Sequence, residues 1–185
     1  PGLAGIHLIE PGPAAADVLA ERIAAARRPG DLVVLSLHWG GNWGYRVPVA
    51  HRDFAHRCID VAGVHVVHGH SSHHPLGLEI YRGQLIIYGC GDFLNDYEGI
   101  GGHESYRPGL TLMYLPEFDR GNGALAGLEL VPMRIRRFRL ERATAAEAAW
   151  LAARLDRESS VFDTHISITG SARMKVAPRP APLPA

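Results

Sequence analysis

Five histidines cluster within ten positions of this sequence and are its clearest candidates for chemistry: His65, His68, His70, His73 and His74. Neutral imidazole is the commonest metal-binding side chain in proteins. His70 and His73 are three positions apart in a predicted tight loop, so both rings can reach one small site. The cluster therefore predicts a metal site, and a solvated histidine-rich loop is the alternative.

A sixth histidine, His38, is expected to join this cluster because of the elements that carry both. The apolar runs 31–37 and 64–67 are typical of buried strands, and residues 48–62 between them have helical spacing. A strand–helix–strand unit makes its two strands parallel, so both end at the same edge of the sheet, where α/β proteins bind ligands. The predicted metal ligands are His38, His70 and His73.

Three further histidines of the cluster have different expected roles. A protonated His68 or His74 beside a metal centre can shuttle a proton or stabilise a developing oxyanion, which makes both catalytic candidates. The alternative for these two is support of the ligands or plain surface. His65 falls inside the predicted strand 64–67, so it is expected to be a satisfied core or edge residue.

A long polar loop, residues 90–109, is the second candidate region. It follows a predicted hairpin around Arg82-Gly83, and loops of this length are more often functional than filler, although a solvated excursion is the alternative. The guanidinium of Arg107 suits a carboxylate or phosphate. With the glycine-rich loop after His38, the candidates for substrate contact are Asn42, Trp43, Asp96, Glu98, His103 and Arg107.

The composition is that of an ordinary globular domain. The chain has 185 residues, of which 46% are hydrophobic and 21% charged, with a formal net charge of zero. A neutral balance argues against broad attraction to nucleic acid. No apolar run reaches the roughly 20 residues that span a bilayer, and no secretory signal is visible. The sequence does not determine the cellular compartment, although the cytoplasm is slightly favoured, and it does not determine the oligomeric state.

Five arginines crowd the last predicted strands: Arg134, Arg136, Arg137, Arg139 and Arg142. A solvated strand face is the default interpretation of such a run. The sharper alternative is binding to an anionic polymer.

Two stretches of this sequence resemble a known family. SLHWGGNWG (36–44) and GVHVVHGHSSHHPLGLEIYRGQLIIYGCGDF (63–93) are similar to the poly-γ-glutamate capsule-synthesis (CapA-like) proteins of the calcineurin-like metallophosphoesterase superfamily. The matching motifs are His38-Trp39-Gly40, Gly69-His70-Ser71-Ser72-His73 and Tyr88-Gly89-Cys90-Gly91-Asp92-Phe93. Their order and spacing agree with the family pattern across about residues 30 to 115.

The resemblance implies a metallophosphoesterase-like four-layer α/β/β/α sandwich with a centre of two divalent metals (Mn, Fe or Zn). It implies that residues 1–170 are the C-terminal part of such a domain, because the N-terminal ligand motifs of the superfamily are not recognisable before residue 30. Residues 171–185, rich in Pro and Ala, are expected to be a disordered tail. Relatives usually carry Asn at the position of Asp92. A carboxylate there can add negative charge near the metals or hydrogen-bond a ligand histidine, which makes Asp92 a catalytic candidate.

The function implied by the resemblance is biosynthesis or export of an anionic capsule polymer, with metal-dependent hydrolase chemistry on a phosphoester or on the polymer itself. The first alternative is a non-catalytic component that binds or exports the polymer and keeps the fold. The second is a simple histidine-rich metal-binding module, which would need only residues 65–74.

Overall fold

Two β-sheets and three α-helices make up the structure, a computed structural model that describes residues 7–95, 100–170 and 172–179. The mixed α/β class predicted from the sequence is confirmed. None of the helices in those ranges is both long and apolar enough to cross a bilayer.

The first sheet carries the histidine cluster. Its strands are β1 (Val34–His38), β2 (Val66–His70), β3 (Leu78–Tyr81) and β4 (Gln84–Ile87), in the order β1-β2-β4-β3. Strands β1, β2 and β4 run parallel, and β3 returns antiparallel to β4 through the predicted turn at Arg82-Gly83. The predicted strand–helix–strand unit is therefore present, and it brings the ends of β1 and β2 to one edge.

Two helices cover one face of this sheet. They are α1 (Pro13–Ala26) and α2 (Val49–Ala62). Proline stands at the first turn of α1, where a missing N–H costs nothing, and α2 ends at Gly63, whose φ of 65° is the left-handed conformation that glycine adopts without strain. Buried side chains of α2, Phe54 and Cys58 among them, pack with Leu37 and Val67 of the sheet.

Strand β2 is longer at its end than the sequence pattern predicts. Periodicity placed the strand at 64–67, with His68 and His70 after it, but the ladder with β1 continues in register from Val34↔Val66 to His38↔His70. The hydrogen bonds of a neighbouring strand carry the extended conformation three residues beyond the apolar run. Both histidines therefore lie on the strand itself, with alternation placing their side chains on one face.

The second sheet is antiparallel. Its strands are β5 (Leu110–Phe118), β6 (Leu125–Arg136), β7 (Arg139–Arg142), β8 (Thr164–Ile168) and β9 (Met174–Pro178). The order is β5-β6-β9-β8, and β7 pairs with the end of β6. Residues 174–178, which composition assigned to the tail, pair with β6 and β8 instead. Met174 and Val176 are buried in the core, and this apolar burial outweighs the local Pro and Ala content.

The two sheets share one apolar core. Leu85 and Ile87 of the first sheet pack with Leu112 and Leu130 of the second. The third helix, α3 (Ala145–Ser159), contributes Leu155 among others to the same core and begins with the predicted capping box, in which Thr144 and Glu147 bond each other's backbone N–H. These contacts build three successive layers: the helices α1 and α2, the first sheet, and the second sheet.

There is no room for a side chain at Gly69 in β2. A Cβ there would overlap the indole Nε1 of Trp39 and the carbonyl oxygens of Tyr88 and Ile87. Trp39 Nε1 donates a buried hydrogen bond of 2.9 Å to the same Tyr88 oxygen. We predict that Gly69→Ala lowers the free energy of unfolding by about 2–3 kcal/mol, because rigid backbone must move. Gly101→Ala, whose added methyl meets no atom of the described residues within 4 Å, is the matched control. Chemical denaturation of both variants tests this, and equal stabilities would contradict it.

A second prediction concerns His65, which is 7% exposed and accepts a hydrogen bond of 3.0 Å at Nδ1 from the Val33 N–H. Burial, and secondarily the charge of Arg27, lower the pKa of His65. Because the folded-state pKa lies below the unfolded value, this group's contribution to stability is present above about pH 6.5 and is lost as the pH falls. His65→Asn keeps an acceptor but does not titrate. The variant should lose less stability than the wild type between pH 7 and 5 in thermal unfolding, and identical pH dependence would refute the assignment.

Candidate functional site

The carboxyl ends of β1 and β2 bring two histidine rings side by side. Register places His38 opposite His70, and their Nδ1 atoms are 3.2 Å apart with ring centroids separated by 5.1 Å. His68 lies on the same face two residues earlier, with its ring 5.8 Å from that of His70 and its Nδ1 3.4 Å from Ser36 Oγ. The juxtaposition of His38 and His70 predicted from the sequence is present.

The electrostatics of this face favour neutral imidazoles. Burial lowers the pKa of His70, and proximity to His38 and His68 lowers it further. Burial also lowers the pKa of His68. A neutral ring keeps a lone pair for a metal or a proton. Two nitrogens that each lie about 2.1 Å from one tetrahedral ion are about 3.4 Å apart, so the spacing of His38 and His70 suits two ligands of a shared ion.

The loops after the two strands are tied to each other. Ser71 follows β2 with a φ of 124°, which turns the chain sharply, and its hydroxyl lies 3.4 Å from both the Gly40 carbonyl and Asn42 Oδ1. The Asn42 carbonyl also accepts the His73 N–H at 3.1 Å. Asn42 therefore holds the His73 loop against the glycine-rich loop, which is a positioning role.

His73 and Asp92 form the second pair of the site. His73 Nδ1 lies 3.0 and 3.2 Å from the two carboxylate oxygens of Asp92, and both side chains are about one-fifth exposed. Of the two roles considered for the carboxylate, the structure shows the hydrogen bond to a histidine. A carboxylate on Nδ1 fixes the tautomer and the ring orientation, the arrangement typical of metal-binding histidines.

The predicted ligands are nevertheless not gathered into one group. Within residues 7–95, 100–170 and 172–179, no three His, Cys, Asp or Glu side chains are placed so that they could hold one ion. His38 with His70, and His73 with Asp92, are two separate pairs. Each pair would need further ligands to form a complete centre.

Aromatic rings build a wall beside His73. Trp43 stacks on His103 with centroids 3.9 Å apart, and it also contacts His73 at 5.4 Å. Tyr45 and Tyr106 lie 5.3 Å apart and complete the wall around His74. The polar loop thus folds back onto the glycine-rich loop through stacking, which sets Trp43 and His103 together.

His74 is enclosed by this wall. Its side chain is 1% exposed, it stacks on Trp43 and Tyr106, and burial lowers its pKa to about 4. Its Nδ1 faces the Pro75 carbonyl at 3.3 Å, and its buried Nε2 has no partner among the described residues. For both His68 and His74, burial lowers the pKa and so favours the neutral ring over the protonated one.

The remaining loop candidates are placed differently. Arg107 has a φ of 51° and stacks its guanidinium on Trp150 of α3 at 4.5 Å. Asp96 and Glu98 lie outside the described residues. Sequence reasoning missed Tyr45 and Arg154, whose guanidinium lies 4.5 Å over the Tyr45 ring. No local pattern points to this pair, because one residue follows β1 and the other is on α3.

Comparison with known proteins agrees with the placement of the motifs. The family model described as bacterial capsule synthesis protein PGA_cap matches residues 3–97. A probable polyglutamine synthesis accessory protein of Mycobacterium tuberculosis (strain H37Rv) is 47% identical over 163 residues, which cover 88% of this chain and 43% of that protein. The capsule biosynthesis protein CapA of Bacillus anthracis is 30% identical over 123 residues, 64% of this chain and 28% of its own length.

The PGA biosynthesis protein CapA of Bacillus subtilis (strain 168) is 31% identical over 84 residues, which cover 45% of this chain and 22% of that protein. The chain thus spans less than half the length of each of these relatives. The family match covers half of the chain and includes the strand ends with His38 and His70, the His73 loop and Asp92. The chain therefore belongs to the bacterial capsule synthesis protein (PGA_cap) family.

Proposed function

We propose that this chain supplies part of a metal-dependent, phosphoesterase-like centre that acts in the synthesis or export of an anionic capsule polymer. The observation that carries the proposal is the pair of ring nitrogens of His38 and His70, 3.2 Å apart at the ends of two parallel strands. The names of the relatives, which refer to capsule, PGA and polyglutamine synthesis, support the biological setting. The proposed fold of the whole domain is the four-layer sandwich of the metallophosphoesterases.

The residues present fit divalent metals of the Mn, Fe or Zn type. Imidazole nitrogens and carboxylates are ligands that such ions accept, and the lowered pKa of His70 keeps its lone pair available. In the proposal, His38 and His70 bind one ion and His73, oriented by Asp92, binds the other. When bound, a pair of such ions activates water and withdraws charge from phosphoester oxygens. Further ligands come from parts of the protein outside the described residues.

The other side chains of the site have roles that follow from their contacts. Neutral His68, two residues from His70 on the same face, accepts a proton during hydrolysis. His74 is enclosed and its pKa is lowered to about 4, so its proposed role is to hold the aromatic wall through its stacked ring. Trp43 and His103 form the side of the site that the substrate contacts, and Asn42 fixes the loop that carries His73.

The first test is metal content. The intact protein should retain divalent metal after dialysis, and His38→Ala/His70→Ala should lose most of the ion that those residues hold. Hydrolysis of bis-p-nitrophenyl phosphate should fall about 100-fold or more, since losing even an outer hydrogen-bond partner costs 10- to 100-fold. His165→Ala, at an exposed histidine paired with Asp156, is the control and should keep both.

Unchanged metal content in the double variant would sink the assignment of these two ligands. Wild-type protein that binds poly-γ-glutamate but holds no metal and hydrolyses no phosphoester would favour the non-catalytic polymer-binding role instead.

A separate prediction addresses Asp92. Asp92→Asn keeps an oxygen that can accept the His73 Nδ1–H, so metal affinity should fall by less than tenfold. Asp92→Ala removes the acceptor and should lower the affinity 10- to 100-fold. Competition with a fluorescent chelator measures both constants. Equal losses in the two variants would mean that the negative charge, and not the hydrogen bond, is what Asp92 contributes.

A further inference from the structure

The hairpin of β6 and β7 ends in a concentration of positive charge. Register places Arg136 directly opposite Arg139, both exposed, and the turn between them is Arg137-Phe138. Like charges directly opposite on one face destabilise an antiparallel pair. Within the part of the chain that the structure describes, Arg136 and Arg139 have no ion-pair partner, whereas Arg134 on the same face is bound to Glu141 at 2.9 Å.

The turn itself is strained. Arg137 and Phe138 have φ values of 51° and 55°, the left-handed region that residues with a Cβ enter only at a cost, and the Phe138 side chain is 62% exposed. Asn-Gly or Gly-Gly would fit such a turn without strain. A hairpin that keeps facing arginines, two strained residues and an exposed ring breaks several local rules at once. Such violations cluster where a surface has a function.

A groove connects this hairpin with the polar loop. Its volume is about 460 Å³, and its lining includes Arg107, Arg134, Arg136 and Glu147. Glu147 accepts hydrogen bonds from Thr144 and lies 3.6 Å from Arg134, so this carboxylate is already occupied. Arg107 and Arg136 are the guanidiniums left to receive an anion along the groove.

Arginines alternating with aromatic rings continue from the groove toward the candidate site. Arg107 lies 4.5 Å over Trp150, and Arg154 lies 5.5 Å from the same ring and 4.5 Å over Tyr45. Tyr45 belongs to the aromatic wall beside His73. Arg154 also pairs with Glu158 at 3.2 Å, so its charge is partly neutralised. The guanidiniums of Arg136, Arg107 and Arg154 thus form a series connected by the groove and by the rings of Trp150 and Tyr45.

We propose that this surface, from Arg136 and Arg139 through Arg107 to Tyr45, binds an extended polycarboxylate chain and guides it toward the candidate site. Guanidinium forks match carboxylates in geometry, and a linear series of them suits a polymer with a carboxylate on each unit. The inference rests on the proposed function, because the capsule polymer of that proposal supplies such a chain.

The test measures the affinity of the intact protein for fluorescein-labelled poly-γ-glutamate. Fluorescence anisotropy of the polymer reports binding, and a chelator is present throughout. Arg136→Gln/Arg139→Gln should weaken binding about tenfold, since two exposed charge pairs are lost. Arg28→Gln/Arg120→Gln removes the same charge from exposed positions elsewhere and should change affinity less than twofold. Arg136→Lys/Arg139→Lys, which keeps the charge without the fork, should lie between. Wild-type affinity should fall as salt rises.

Several outcomes would overturn the inference. One is an equal loss of polymer affinity in the Arg136→Gln/Arg139→Gln pair and in its control, and another is no loss in either. A third is binding to phosphatidylserine vesicles that depends on the hairpin arginines when binding to the polymer does not. Thermal unfolding checks the fold, and the Gln pair should be no less stable than wild type because a repulsive contact is removed.

The two proposals fail separately. The binding assay contains a chelator, so it measures polymer binding in the absence of metal. His38→Ala/His70→Ala, which removes proposed metal ligands, should therefore still bind the polymer. If the metal assignment fails but polymer binding still depends on the arginines, this inference stands. If the metal assignment holds but polymer binding does not depend on the arginines, only this inference fails.

Discussion

The parallel pairing of β1 with β2 is the constraint on which the rest of the site depends. Its register, Ser36↔His68 and His38↔His70, decides which imidazoles meet and on which face. Because the side-chain period of a strand is two, a slip of one residue would turn His68 and His70 toward the helices and bring Val67 and Gly69 to the site. The apolar face that packs against α2 prevents that slip, so the core determines the geometry of the polar end.

The same pairing requires a close approach at its end. Gly69 lets the Trp39 indole reach the Tyr88 carbonyl, and this contact joins the loop after β1 to the end of the β3–β4 hairpin. That hairpin leads directly to Asp92, which orients His73. One small residue therefore links the His38–His70 pair and the His73–Asp92 pair through rigid backbone. Stacking of Trp43 on His103 then brings the polar loop over the same region.

Local chemistry predicted some parts of this arrangement well. The capping box at Thr144 and Glu147, the turn at Arg82-Gly83 and the stop at Gly63 are signals carried by residues next to each other, and each is observed. Strand ends were less predictable. β2 runs on to His70 because β1 is beside it, and Met174–Pro178 form β9 because β6 and β8 offer free backbone groups and an apolar core. Neither partner is visible from the strand's own residues.

What the sequence determined by itself was the identity of the chemistry: histidines at the ends of two apolar runs that a helix separates, with a family pattern in order and spacing. That much follows because a crossover of this length makes parallel strands, and parallel strands end together. Tertiary structure decided the pairings, His38 with His70 and His73 with Asp92, and it set Arg107 on Trp150 beside the arginine hairpin. Those contacts join residues tens of positions apart, and only the packing of the two sheets and α3 places them within reach of each other.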